Sequence, residues 1–119
     1  MKKADIKKLD KIWADKVKEI GHCESCLESG DFIKLEAAHI VGRSYRTTRW
    51  GAWINGEYDL NGMCLCFSCH QAFDQHMKME KFIREVVIGL ERYNCLLTTK
   101  KLIAKNQNVD EIKEWIAAK

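Results

Sequence analysis

Proline is absent from the 119-residue chain, which excludes a proline-rich linker. No apolar run approaches the roughly 20 residues that a membrane-spanning helix needs, so we expect no membrane partner. The first five residues lead into a charged helix and not into an apolar signal segment. Length and these absences together predict one domain, residues 1–119, in a cytoplasmic or nuclear compartment.

Acidic residues are missing from one stretch of the chain, residues 37–56, which nevertheless contains Arg43, Arg46 and Arg49. The net charge of +3 is by itself weak support for an anionic partner. A solvated loop and a phosphate-facing loop both explain three arginines without acidic neighbours. Charge alone does not decide between the two interpretations.

The spacing of apolar residues indicates a mixture of helices and strands, and therefore an α+β fold. Three segments are distinguished: an N-terminal helix over 1–21, a core over 22–77 and C-terminal helices over 78–119. Asn108 and Glu111 have the spacing of a capping box at the start of the last helix. The predicted helices are 4–20, one that starts near residue 69, 78–93 and 108–118. The predicted strands are 32–41 and 59–65, and a loop is predicted between them over 42–58.

Four of the six cysteines form two Cys-x-x-Cys pairs, Cys23–Cys26 and Cys66–Cys69. Two such turns complete a tetrahedral site that is closed to water, which is typical of structural zinc. A disulfide framework is not expected in a reducing compartment. A thiol redox motif normally starts a helix in a strand–helix repeat, and no such repeat is present. Cys64 and Cys95 are left over and are expected to be buried as small apolar residues.

Two segments resemble the HNH endonuclease motif: Ala38-His39-Ile40, and the run from Asp59 to His70. In that family a strand carries a histidine, an asparagine stands five residues before a cysteine, and a Cys-x-x-Cys-His run opens a helix. His39, Asn61 and His70 stand at the matching positions. The resemblance covers residues 23 to about 76 and implies a ββα-metal fold, a hairpin plus a helix, stapled here by zinc.

The resemblance implies a catalytic role for each signature residue. His39 is expected to be the general base that activates water, and histidine suits that role near neutral pH. His70 is expected to bind a catalytic Mg²⁺ or Mn²⁺ ion, which acts as a Lewis acid. Asn61 is expected either to bind the metal or to fix the geometry of His39 and its loop. Asp74, four residues after His70 on the same helix face, is expected to be a second metal ligand.

One position departs from the family pattern. Many members carry an aspartate or histidine just before the base histidine, as a metal ligand, and this chain has Ala38 there. His76 is an alternative to Asp74, and Glu36 stands on the same strand face as Ala38. The ligand set of the catalytic metal therefore stays open.

The loop from Arg43 to Trp50 and the run from Leu9 to Trp13 are similar to bacteriophage recombination nucleases of the Rap/NinG kind. That subtype implies DNA, in particular branched DNA, as the partner and the host cytoplasm as the location. Symmetric cutting of two strands would favour a homodimer. The loop arginines are expected to contact phosphates. The tryptophans are expected either to stack on unpaired bases or to cover the hairpin. The expected contacts are Arg43, Arg46, Arg49, Trp50 and Trp53.

Two other functions are compatible with the sequence. The first is a noncatalytic zinc module that binds nucleic acid or a protein, which the missing ligand at Ala38 favours. The complete set of His39, Asn61 and His70 argues against it. The second is a DNA-binding regulator that uses its terminal helices, but acidic residues interrupt the lysines of the N-terminal helix.

Overall fold

The computed structural model describes residues 1–75, 77–100, 102 and 107–119, which form an α+β fold. No helix in these ranges is both long and apolar enough to span a membrane. The elements in chain order are α1 (Lys3–Lys18), β1 (Leu35–Ala38), a 3₁₀ helix (Arg46–Thr48), β2 (Gly51–Ile54), β3 (Glu57–Leu60), β4 (Met63–Cys66), α2 (Phe67–Gln75), α3 (Met77–Phe82), a π-helical segment (Ile83–Gly89), α4 (Leu90–Thr99) and α5 (Val109–Ala117).

The first strand pair and the helix after it form the expected hairpin–helix unit. β1 runs antiparallel to β4, with Ala38 opposite Met63, and α2 follows β4 directly. β1 is shorter than the predicted strand over 32–41. Its N-terminal side is shortened because the amides of Phe32 and Ile33 donate to the Ser29 carbonyl in a turn. Its C-terminal side ends before Val41, whose backbone bonds to a side chain instead of a strand.

A second hairpin, β2–β3, lies between β1 and β4 and was not expected. Its turn is Asn55-Gly56, with φ values of +52° and +81° that suit a two-residue hairpin connection. The predicted loop over 42–58 is therefore partly strand. The predicted single strand over 59–65 is two strands, which separate at Asn61-Gly62 because each pairs with a different partner.

The C-terminal helices differ from the prediction in one place. The helix predicted over 78–93 is divided, and Gly89 at φ +91° explains why, since few residues except glycine adopt that backbone conformation. The last helix begins as expected. The side chain of Asn108 accepts from the amides of Asp110 and Glu111 at 2.9 and 3.1 Å, which confirms it as the N-cap.

The core consists of two apolar clusters on the two faces of the β1–β4 pair. Met63, Cys64 and Leu65 of β4 alternate between the two clusters, as expected where side chains alternate across a strand. Met63 and Leu65 pack with Phe73 of α2, whereas Cys64 packs with Trp13 of α1. Helices α1 and α2 therefore cover opposite faces, and α5 joins α1 through Ile116.

Gly62 lies where α1 approaches the strand junction most closely. A Cβ atom at Gly62 would lie 2.7 Å from the Trp13 ring and 2.7 Å from a Val17 methyl. Gly62→Ala is therefore expected to reduce the free energy of unfolding by about 1–3 kcal/mol through overpacking. Gly42→Ala is the matched control, because its nearest neighbour would be 3.9 Å away. Urea denaturation measures both; equal stability of the two variants would contradict this packing.

Candidate active site and metal centre

The four predicted zinc ligands lie together. The Sγ atoms of Cys23, Cys26, Cys66 and Cys69 are all within 4.8 Å of one another, and those of Cys26 and Cys66 are 3.9 Å apart. Four sulfurs at about 2.3 Å from a tetrahedral zinc ion lie about 3.8 Å apart, so this donor set fits zinc. Within the described ranges, no other set of three or more His, Cys, Asp or Glu side chains is this compact.

The two cysteine turns are built so that backbone amides face sulfur. The amide of Cys26 points at the Sγ of Cys23 at 3.4 Å, and that of Cys69 points at the Sγ of Cys66 at 3.5 Å. Such donors stabilise thiolates, the form that binds metal. Of the two remaining cysteines, Cys64 is fully buried as expected, and Cys95 is half-buried.

Glu24 connects the first cysteine turn to β4, a contact that no sequence pattern indicated. Its amide donates to the Cys64 carbonyl at 2.8 Å, and its carboxylate accepts from the Cys64 amide at 2.6 Å. The first turn thereby continues the backbone pairing of the hairpin. The cysteine cluster thus joins two segments that lie 40 residues apart in the chain.

Asn61 is fully buried, and its amide group pairs with the backbone of Val41. Its Oδ1 accepts from the Val41 amide and its Nδ2 donates to the Val41 carbonyl, both at 2.8 Å. This geometry matches the second of the two interpretations, in which Asn61 fixes the loop that follows His39. Arg92 of α4, which the sequence did not single out, holds the turn from the other side by donating to the carbonyls of Leu60 and Gly62.

His39 follows the last residue of β1 and is half-buried. Its ring stacks on Trp13, with centroids 4.0 Å apart and an angle of 19° between the planes. Its Nε2 atom is enclosed and has no hydrogen-bond partner in the described part of the chain. A buried polar nitrogen without a partner is costly, which is characteristic of functional positions.

The surroundings of His39 favour its neutral form. Burial lowers the pKa of His39 to about 4, and the positive charges of Arg49 and Arg43 act in the same direction. The carboxylate of Asp10 and a hydrogen bond with the Arg49 backbone oppose them without prevailing. The imidazole is therefore unprotonated near neutral pH and able to accept a proton, although surroundings that lower its pKa this far also make it a weak base.

His70 lies between two carboxylates on α2 and β1. Its Nδ1 is 2.9 Å from Glu36 Oε1, and its Nε2 is 3.6 Å from Asp74 Oδ2. A metal ion on Nε2 would lie beside Asp74, whereas an ion on Nδ1 would lie beside Glu36. A single ion bound to His70 would therefore share only one of these two carboxylates. Ala38 is 1% exposed within the core, so its position offers no ligand. His76 lies outside the described residues.

The two histidines predicted to be catalytic, His39 and His70, have different surroundings. The contacts of His39 come from α1 and the loop after β1, whereas those of His70 come from β1 and α2. Across the described ranges, no hydrogen bond or ion pair joins the two residues. The structure therefore places each histidine in its own polar cluster and does not bring them into contact.

The loop arginines and tryptophans also differ from one another. Trp50 is 2% exposed and donates its Nε1 to Asp10 at 2.9 Å, so the expectation that it contacts nucleic acid does not fit its burial. Arg49 makes a two-bond pair with Asp10 at 2.8 and 2.7 Å. Arg43 is exposed and Arg46 is half-buried. Trp53 is 53% exposed.

Residues 23–78 match the family model for HNH endonucleases. No curated protein and no solved structure shows significant similarity to the chain. The HNH match contains the four clustered cysteines, the β1–β4 pair, the β2–β3 hairpin and α2. It indicates nuclease activity on nucleic acid and supports the family resemblance seen in the sequence. Helices α1, α4 and α5 lie outside the HNH match.

Proposed function

We propose that the protein is a metal-dependent endonuclease that hydrolyses DNA phosphodiester bonds, with His39 as the general base. One observation supports this most strongly. Within an HNH match, a neutral imidazole stands at the end of β1 with an unpartnered Nε2, and Asn61 secures the loop that follows it. Nicking of supercoiled plasmid with Mg²⁺ or Mn²⁺, and its dependence on His39, tests the proposal.

In the proposed reaction, His39 accepts a proton from the attacking water molecule, and the water oxygen then forms a bond to phosphorus as the leaving oxygen departs. Because Nε2 is enclosed, water reaches it only if the surrounding loop moves. Asn61 limits that movement near Val41, where two hydrogen bonds hold the backbone. Asn61 thus holds the loop after His39 from one side.

The proposed ligands of the catalytic metal are His70 Nε2 and Asp74, completed by water and substrate phosphate. When bound there, a divalent cation would neutralise charge on the phosphate oxygens. Glu36, which lies 2.9 Å from the other ring nitrogen, would accept its proton and orient the ring. Two protein ligands suit a weakly held Mg²⁺ or Mn²⁺ ion, which retains several waters.

Substitutions of the two carboxylates distinguish ligand from orienting group. Asp74→Asn is expected to raise the Mn²⁺ concentration for half-maximal nicking by more than about 10-fold, since it removes a charged ligand. Glu36→Gln keeps a side chain that accepts from Nδ1, so its expected increase is smaller. Metal titrations of nicking measure both. A larger effect of Glu36→Gln would assign the ligand role to Glu36 instead.

Phosphate contacts are proposed for the stretch without acidic residues, 37–56, chiefly for Arg43 and Arg46. Arg46→Ala is expected to weaken DNA binding and to reduce the slope of log K against log salt by about 1, as for one lost phosphate contact. Lys113→Ala, an exposed cation on α5, is the control and should leave the slope unchanged. Identical salt titrations for wild type and Arg46→Ala would remove the loop from the interface.

The finer aspects of function are proposals that extend the Rap/NinG resemblance. They are a branched DNA substrate, a bacteriophage origin with the host cytoplasm as the location, and a homodimer for symmetric cutting. We also propose one domain over 1–119, because α1 and α5 complete the apolar cluster beneath the HNH segment. Comparing cleavage of a four-way junction with linear duplex tests the substrate, and light scattering measures the oligomeric state.

A noncatalytic zinc module that binds nucleic acid is the second candidate. The buried Ala38 and the separate surroundings of His39 and His70 favour it. It predicts DNA binding without hydrolysis at any concentration of Mg²⁺ or Mn²⁺. Metal-dependent nicking that His39→Ala abolishes would exclude it.

A further inference from the structure

We propose that Trp13 and Asp10 of α1, which lie outside the HNH match, are positioning residues that hold His39 in its productive orientation. This inference rests on the proposed nuclease function. The argument begins with the stack between His39 and Trp13, in which the ring centroids are 4.0 Å apart and the planes nearly parallel at 19°. One face of the imidazole is thereby covered, and the ring is held nearly parallel to the indole plane.

Trp13 is itself fixed on both sides. Gly62 approaches the indole so closely that a single added methyl would lie 2.7 Å from it. The indole therefore fills the space between His39 and the turn that carries Asn61. A movement of Trp13 would disturb both signature residues at once, although neither belongs to α1.

Asp10 secures the loop on the other side of His39. It lies three residues before Trp13, so both side chains share one helix face. Its carboxylate accepts from Arg49 Nε and Nη2 and from Trp50 Nε1, at 2.8, 2.7 and 2.9 Å. Although partial burial acts to raise the pKa of Asp10, these donors hold it below the usual value, so Asp10 stays charged. We call the pair of Asp10 and Arg49 the clamp.

The clamp continues into the rest of the loop. Arg49 also donates Nη1 to the Arg43 carbonyl at 3.0 Å, and its guanidinium charge acts on His39, whose pKa it helps to lower. A bidentate arginine–carboxylate pair fixes both distance and orientation. Arg49 thereby acts as a structural link between α1 and His39. Displacements of about 1 Å at such a position are able to reduce catalysis by about 100-fold.

Trp13→Leu tests the proposal in the full-length, zinc-loaded protein. We expect kcat for plasmid nicking to fall by about 10- to 100-fold with little change in KM, because the base is misoriented while DNA binding persists. Trp115→Leu is the matched control. It is the same substitution in the same apolar cluster, but Trp115 contacts Trp53 and Tyr58 and not His39. Equal losses of kcat in the two variants would overturn the proposal.

An NMR titration of His39 gives a readout that does not require nuclease activity. The charged groups facing the ring are Asp10 on α1 and Arg43 and Arg49 on the loop. Trp13→Leu opens the ring to water, so its titration midpoint should rise from about 4 towards the ordinary value of 6.5. Trp115→Leu should leave it unchanged. An unaltered midpoint in Trp13→Leu would refute the positioning role even if wild type shows no nuclease activity.

Asp10→Asn tests whether the pair of Asp10 and Arg49 holds His39 in a productive orientation or instead restrains it from reaching one. It keeps the size of the side chain and removes the charge that binds Arg49. Lower kcat with a normal KM supports positioning, whereas higher kcat would show that the clamp restrains His39 and would overturn the proposal. If wild type itself fails to nick DNA, the proposed function fails, and the NMR titration alone decides the role of α1.

Discussion

His39→Ala is expected to reduce metal-dependent plasmid nicking by about 10²- to 10⁴-fold, the usual contribution of a positioned general base. The expectation follows from the neutral state of the imidazole and from its unpartnered Nε2. DNA binding should persist, because the loop arginines remain. First-order nicking rates at saturating Mn²⁺, measured for wild type and variant, give the ratio.

The control for this experiment is another histidine. His22→Ala removes an imidazole beside the first cysteine turn, where only the backbone pairs with Ser29. It should retain full activity and one zinc ion. If His39→Ala nicks DNA as fast as wild type, either the base has been misassigned or the activity belongs to a contaminating nuclease. Zinc content and melting temperature of both variants must match wild type for the comparison to hold.

Removal of zinc is expected to have the largest effect on stability. Structural zinc contributes about 10–16 kcal/mol of apparent binding free energy in small zinc-binding peptides, comparable with the whole stability of a domain of this size. The cluster joins the N-terminal cysteine turn to the end of β4, from which α2 begins. Chelation should therefore abolish the cooperative thermal transition of the core and, with it, nuclease activity.

Cys66→Ser provides the specific form of this test. It should lose zinc and cooperative unfolding, whereas Cys95→Ser, the same change at a cysteine outside the cluster, should keep both. Zinc analysis and circular dichroism melting provide the two measurements. A chelated protein that melts as the wild type does would show that the four cysteines do not stabilise the fold.

Local sequence patterns determined much of this molecule. The two Cys-x-x-Cys pairs predicted a compact sulfur cluster, since their spacing brings two thiolates to one point in each turn. The apolar repeat of α1 and the cap at Asn108 predicted helices close to those observed. The spacing of Asn61 and His70 from the cysteines carried the HNH resemblance, which the match over 23–78 supports.

Those local patterns did not predict which strands pair or which side chains distant in sequence meet. The sequence predicts one strand over 59–65, but backbone hydrogen bonding divides this run, so that its first part pairs with β2 and its second part with β1. The sequence predicts Arg49 as a nucleic-acid contact because its neighbours carry no acid, and Trp50 because an indole is able to stack on unpaired bases. Their acidic partner, Asp10, stands about 40 residues earlier and reaches them only through the packing of α1.

The sequence alone thus determined which four cysteines cluster, the α+β class and the identity of the candidate base. The tertiary structure decided which groups surround that base, because chain segments distant in sequence meet only when apolar faces pack together. Trp13 covers one face of the His39 ring, and the positive charge of Arg49 lowers the pKa of His39. No local sequence motif connects either residue to His39. Likewise, the pairing of Asn61 with Val41 depends on strand register, which is a property of the assembled sheet.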